Sequence, residues 1–286
     1  MRLSQNDQVD PAKDPRHYQI ACLLTMVVYQ SLAFDFTLLP AEALLLIGTA
    51  LLSQAILGYV FAVRFEWRSA CISGLSLVLL LRTESPAMLV LAPLIAISSK
   101  FLIRYQNRHV FNPTNLAIIL LLLSGAPVWV SPGAWGSSTT LAFLALLAGG
   151  AVVHKALRQD VTIALLFSYG AIVIGRGLFL GDPIAIAVHQ LTNGTLLIFA
   201  FFMISDPKTT PDSRAGRIFF AALVAVGAAF IQFALFRPNG LLYALVFCSL
   251  LTPALNRVLP GTRFEWRTQN KSGPESWPTI PTGVHP

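Results

Sequence analysis

The sequence predicts an all-α protein that crosses a membrane several times. Hydrophobic residues make up 55% of the chain and charged residues only 12%, whereas a soluble domain is about a quarter charged. The mean hydropathy is +0.67, and the charges cluster between long apolar runs. A bilayer requires closed backbone hydrogen bonding, and apolar runs of this length favour helices over a barrel.

The apolar runs divide the chain into ten segments. They cover residues 17–34, 40–63, 69–82, 85–103, 112–125, 134–153, 160–176, 185–204, 215–235 and 239–258. A full span needs about 20 residues, so the third and fifth segments are too short. We expect these two to be tilted, half-spanning or re-entrant, with protein covering their ends.

The basic residues predict the orientation. With a cytoplasmic N-terminus and ten alternating segments, all but three of the 20 Lys and Arg residues lie inside, as the positive-inside rule requires. The three outside are Arg82, Arg176 and Arg237. This predicts a multi-pass protein of the bacterial inner membrane with both termini in the cytoplasm. Residues 1–16 form a cytoplasmic segment without a cleavable signal, 17–259 the membrane domain, and 260–286 a disordered, proline-rich tail.

Two short motifs indicate an internal repeat. Phe111-Asn112-Pro113 opens the fifth segment, and Phe236-Arg237-Pro238 opens the tenth. They predict two five-helix repeats, about 17–125 and 134–259, the second inverted because five is an odd number. Inverted repeats place functional sites near the midplane, at broken helices. The alternative is chance, combined with the preference of proline for a first helical turn.

The eighth segment is the most polar. His189, Thr192 and Asn193 are spaced to share one helical face, and polar groups at membrane depth must pair or line a wet cavity. One interpretation is a pore or cofactor wall. The other is hydrogen bonding between helices, which is common in membrane bundles.

The polar loop after this segment is a second candidate site. Asp206 can cap a turn, while Lys208, Arg214 and Arg217 can hold a phosphate. The alternative is an ordinary basic cytoplasmic loop. Asp and Glu are missing from the middle of every segment, so ion movement through this chain alone would rely on hydroxyls, amides and carbonyls.

Composition argues against several cofactors and partners. Cys22, Cys71 and Cys248 lie singly in apolar runs, which predicts no iron–sulfur cluster and no metal site in this chain. Only His189 is expected deep in the membrane, so haem is not predicted. The net charge of +7 is explained by cytoplasmic loops rather than nucleic acid binding.

Phe201-Phe202-Met203-Ile204-Ser205-Asp206-Pro207 and the later Gly216-Arg217 carry a family resemblance. Together with Phe111-Asn112-Pro113 and the stretch from Pro238 to Pro253, they resemble the D component of the Rnf electron-transport complex. They equally resemble the B component of the sodium-translocating NADH:quinone oxidoreductase. The look-alikes include short stand-alone members, some from natural-product gene clusters. The resemblance implies ten helices in two inverted repeats, with a fold related to urea transporters.

The resemblance also implies a flavin-bearing subunit of a redox-driven ion pump, with other electron-transport subunits as partners. Larger members attach FMN to Thr in a Ser-Gly-Ala-Thr motif, which this chain lacks; Thr139 and Thr140 are the nearest candidates. We therefore expect no covalent FMN and allow a noncovalent FMN or riboflavin. The expected cofactor-binding residues are Asn112, Thr114, Asn115, His189, Asn193, Asp206, Lys208, Thr209 and Arg217; no catalytic residue is predicted. The alternative function is a redox-inert transporter or channel for a small solute, because fold kinship alone does not choose between them.

Overall fold

The computed structural model describes residues 14–33, 40–131, 149–154 and 156–262. This part of the chain is mainly helical. Its helices are α1 Pro15–Ala33, α2 Pro40–Val60, α3 Trp67–Leu80, α4 Pro86–Leu102, α5 Pro113–Leu123, α6 Gln159–Leu180, α7 Ile184–Leu191, α8 Gly194–Met203, α9 Arg214–Ala234, α10 Gly240–Ser249 and α11 Thr252–Val258. Residues 149–154 are also helical.

The described helices include several that can cross a membrane. By length and composition, α2, α6 and α9 are long and apolar enough, and the number rises to five if two bent pairs each count as one span. These pairs are α7 with α8, bent by 46°, and α10 with α11, bent by 55°. The third and fifth segments are short, as predicted, with 14 residues in α3 and 11 in α5.

Two small strand pairs interrupt the predicted all-α pattern. Residues of β1, Leu81–Thr83, pair antiparallel with β4, Val128–Val130, so the third segment ends as a helix at Leu80 and not at residue 82. A second pair, β2 Arg104–Tyr105 and β3 Arg108–His109, forms a hairpin. Its two turn residues have positive φ angles of 47° and 62°, which suits a tight hairpin turn.

The core lies around α8. Every residue from Leu196 to Ser205 is buried, because α8 runs inside the bundle. Helix α6 packs against α9, which in turn packs on α10, and α2 packs against α3 and α4. The division into two inverted repeats and the count of ten spans stay predictions, since much of the sixth segment lies outside the described residues.

Two π-helical turns mark α8 and α9. They cover Phe199–Met203 and Phe230–Ala234. Such turns place one extra residue in a turn and alter which carbonyls are used within the helix. The Thr162 hydroxyl donates to the Ala200 carbonyl over 2.8 Å, so the first π-turn bonds directly to α6.

Candidate functional site

The break between α7 and α8 lies within the predicted polar face. Thr192 ends α7, and Asn193 begins α8, where its Oδ1 accepts from the Thr195 backbone N–H over 2.8 Å. The prediction that His189, Thr192 and Asn193 share one helical face is therefore wrong, because the helix axis turns between them. His189 is exposed and Asn193 is half-buried.

The start of α5 is a buried polar junction. Asn112 Oδ1 accepts from the Asn115 backbone N–H over 3.1 Å, and Pro113 occupies the first turn. The sequence predicts the helix start with Pro113 in its first turn, and the structure adds the Asn112 side-chain cap. Asn112 Nδ2 donates to the Met203 carbonyl over 3.4 Å, and the Thr114 hydroxyl donates to the Ser73 carbonyl over 3.3 Å.

Asn115 connects α5 to α10. Its Nδ2 donates to the Leu242 carbonyl over 3.0 Å, and the residue is only 1% exposed. Its Oδ1 finds no hydrogen-bond partner within the described part of the chain. A buried acceptor left unpaired costs about 1–3 kcal/mol, so this oxygen is a place where a ligand or water with an N–H or O–H donor would be stabilised.

The loop after α8 is organised by Asp206. Its carbonyl accepts from the backbone N–H groups of Thr209 and Thr210, both over 3.2 Å, and from both hydroxyls. Its Oδ1 accepts from the Lys208 backbone N–H over 3.0 Å. Asp206 therefore caps a turn, as predicted, and the Thr209 hydroxyl is already used in holding the loop.

His109 and Asp206 form a polar pair that joins the β2–β3 hairpin to this loop. His109 Nε2 lies 3.3 Å from Asp206 Oδ2, and the two side chains are 11% and 20% exposed. Burial lowers the pKa of His109, so the neutral imidazole donates its Nε2–H to the carboxylate. Burial disfavours the charge of Asp206, yet the hydrogen bonds from His109 and the Lys208 amide outweigh it and lower its pKa.

A second charged group anchors the start of α9. Arg217 Nε donates to Asp160 Oδ2 over 2.8 Å, and its NH1 donates to the Asp212 carbonyl over 2.7 Å. Arg108 donates to Asp212 Oδ1 over 2.8 Å. Burial, with the nearby charge of Arg217, lowers the pKa of Arg158 to about 10. Arg217 thus serves as a structural tie between α6 and the loop before α9.

The structure brings some of the predicted site residues together and separates others. Through the contacts above, Asn112 and Asp206 both meet the end of α8, where Lys208 and Thr209 follow. His189 and Asn193 lie at the break between α7 and α8, at the opposite end of α8, where the Thr195 hydroxyl donates to the Ser131 carbonyl over 2.7 Å. Thr139 and Thr140 lie outside the described residues.

Sequence reasoning missed His109, Gln54 and Ser69 as site residues. His109 lies three residues before the predicted start of the fifth segment, which is a readable signal for a residue near the polar junction. Gln54 and Ser69 carry no local signal, because their partner, Lys100, is distant in sequence. In the part of the chain described, no three His, Cys, Asp or Glu side chains come together as a metal site.

The long apolar helices, the two bent pairs and the buried polar junction define a helical membrane protein with broken helices. Residues 129–265 match the model of the NQR2, RnfD, RnfE family. The resemblance predicted from the sequence is confirmed over those residues, which include α6 to α11.

Three curated relatives are similar over 115 residues, or 40% of this chain. Each is the D component of an ion-translocating oxidoreductase complex. The protein of Haemophilus influenzae (strain ATCC 51907) is 26% identical, that of Klebsiella pneumoniae (strain 342) 28%, and that of Escherichia coli O1:K1 29%. The matched residues span 32% to 33% of the relatives' own length.

Proposed function

We propose that this chain is an integral membrane subunit of an ion-translocating oxidoreductase complex, seated in the bacterial inner membrane with both termini in the cytoplasm. The observation that carries the proposal is the family match over residues 129–265. Those residues hold the broken pair α7–α8 and the Asp206 loop. The names of the relatives imply neighbouring subunits, which would exchange electrons with this chain.

We further propose that a flavin, FMN or riboflavin, binds noncovalently near the α5–α10 junction. The residues there fit it in one respect: the buried Asn115 Oδ1 has no partner in the described chain, and a flavin ring offers an imide N–H donor. A bound flavin would supply one- and two-electron transfer. The surrounding helices would orient the ring and exclude water from it.

The test is the absorption spectrum of the full chain purified in mild detergent, with flavin quantified after acid extraction. We expect about one flavin per chain. Asn115→Leu should abolish flavin retention, because it removes the buried acceptor. The matched control, Asn107→Gly, removes an amide from the exposed hairpin turn and should retain flavin. Colourless wild-type protein would refute flavin binding.

A redox-inert transporter for a small solute is the second candidate. In the described helices, carboxylates occur only in first turns, at Glu42 and Asp160. This distribution favours the redox-inert transporter. The unpaired Asn115 oxygen also suits a small solute with an N–H donor. Flux of a neutral amide solute into liposomes containing colourless protein would support this candidate, whereas flavin-bearing protein without flux would exclude it.

A further inference from the structure

Two lysines near Asp206 lack a carboxylate of their own. Lys100, in the last turn of α4, donates from Nζ to Gln54 Oε1 over 3.1 Å and to Ser69 Oγ over 2.8 Å. Both acceptors are uncharged. Lys208 stands two residues after Asp206 in the sequence and feels its charge. Within the described chain, however, the Lys208 ammonium makes no hydrogen bond or ion pair; only its backbone N–H donates to Asp206.

Two carboxylates, Asp206 and Glu66, act on both lysines, and both are already engaged. Asp206 accepts from His109 and from a backbone N–H. Arg16 and Glu66, which also influence Lys208, are paired with each other over 2.9 Å. With a neutral imidazole, Lys208 and Asp206 balance each other in charge, and the Lys100 amine, when protonated, adds a positive charge. In a cleft with low-dielectric walls, such a charge raises the local concentration of anions.

An open groove lies beside this group. It runs between the β2–β3 hairpin and the start of α11, and its walls include Tyr105, His109, Lys208, Thr209 and Asn256. Lys208 and His109 therefore meet a space that a small ligand can enter. Lys100 is not one of the wall residues and acts on both residues through its charge when protonated.

We propose that this groove binds a phosphate group, with Lys208 as its main ligand and Lys100 as a supporting charge. Phosphate matches a lysine ammonium, which serves as a point charge with three donors. The phosphate can belong to a free phosphate ester or to the headgroup of an anionic phospholipid. The inference does not depend on flavin binding.

The first experiment titrates inorganic phosphate into the full chain in detergent, at constant ionic strength set with chloride, and follows the thermal unfolding midpoint. Phosphate should raise the midpoint saturably. We expect Lys208→Gln to weaken the apparent affinity roughly tenfold, the order of one lost charge-assisted hydrogen bond. Lys100→Gln should weaken it less, because its charge acts at longer range.

Two variants serve as controls. Lys208→Arg keeps the charge and should retain most of the affinity. Arg64→Gln removes an exposed positive charge from the loop between α2 and α3 and should leave affinity unchanged. Equal losses in Lys208→Gln and Arg64→Gln would show an effect of net charge alone and would overturn the site. Because Lys208 is exposed, its variants remain informative even if Lys100→Gln does not fold.

The second experiment identifies whether the bound phosphate belongs to a soluble ligand or to a phospholipid headgroup. Chain in nanodiscs of phosphatidylcholine, with or without phosphatidylglycerol, is titrated with phosphate. Headgroup binding predicts that phosphatidylglycerol abolishes the phosphate effect in the wild type. A soluble ligand predicts that the phosphate effect persists in both. The absence of a saturable phosphate effect in detergent, with no preference for phosphatidylglycerol by native mass spectrometry, would refute the proposal.

Discussion

Helices α5 and α10 follow the same Phe-x-Pro pattern but begin in different ways. In α5, Pro113 is the first helical residue and Asn112 caps it with its side chain. In α10, Pro238 precedes the helix by two residues, and Asn239 is left-handed, with φ 63° and no side-chain cap. The first start is held by polar bonds, and the second by close packing on α9. The shared pattern therefore predicts a helix start but not the chemistry at it.

The strongest way to break this comparison is Gly240→Ala. A Cβ at Gly240 would lie 2.5 Å from the Ala228 carbonyl oxygen, so α10 would have to move away from α9. We expect destabilisation of about 3 kcal/mol or failure to fold. Gly175→Ala is the control, because a Cβ there meets nothing within 4 Å. Thermal unfolding in detergent measures both, and equal midpoints would contradict the packing argument.

The stability of the polar region at the start of α5 should depend more on Asp206 than on Asp212. Asp206→Ala removes the acceptor of His109 and of the Lys208 amide, and takes away one of the two carboxylates that act on Lys100 and Lys208. We expect a loss of about 2 kcal/mol, in line with hydrogen bonds to charged groups. Asp212→Ala removes the Arg108 pair but keeps the carbonyl that binds Arg217, so its loss should be smaller. The reverse order in urea or thermal unfolding would refute this ranking.

Substitutions at Asn112 and Asn239 distinguish the capped start of α5 from the uncapped start of α10. Asn112→Ala should cost about 1 kcal/mol through loss of the cap. Asn239→Gly should be nearly neutral, because glycine adopts a left-handed conformation readily and the side chain makes no cap. Both variants are compared by unfolding midpoint. An equal cost for both would mean that the side chain of Asn239 contributes a bond that the geometry does not show.

The smallest effect concerns pH. Because the folded-state pKa of His109 lies below its usual 6.5, the unfolded chain binds more protons in that range, and stability rises with pH. Wild-type stability should therefore decline as pH falls below about 6.5. His109→Gln should show a shallower decline in thermal midpoint between pH 7 and 5. Parallel pH profiles for the two proteins would exclude His109 as the source.

The sequence predicts helix starts well where a local residue pair determines them. Asn112 with Pro113 gives α5, and Ser213 before the ninth segment gives α9, where its Oγ accepts from the Gly216 backbone N–H over 3.0 Å. The break at Asn193 was missed, although Asn followed by Gly is a readable start signal. A run of helix-compatible residues favoured an unbroken helix, and tertiary packing decided otherwise.

The site was predicted less completely than the fold, because its contacts join residues far apart in sequence. Asp206 was recognised as a cap, but its pairing with His109 spans 97 residues. Arg217 was assigned to a ligand, whereas Asp160, 57 residues away, binds it. Composition shows which polar residues must find partners; it does not show which partners they find.

The π-turn in α8 makes chain length matter more than residue type at Phe199–Met203. The carbonyls of Ala200, Phe201 and Met203 there accept from Thr162, Ser205 and Asn112. Deleting one residue would restore a regular helix and rotate everything after it by about 100°. Apolar exchanges within the turn leave these backbone bonds in place, whereas a deletion would carry Asp206 away from His109. Homologous chains that keep this site should therefore vary in residue type within this turn but not in its number of residues.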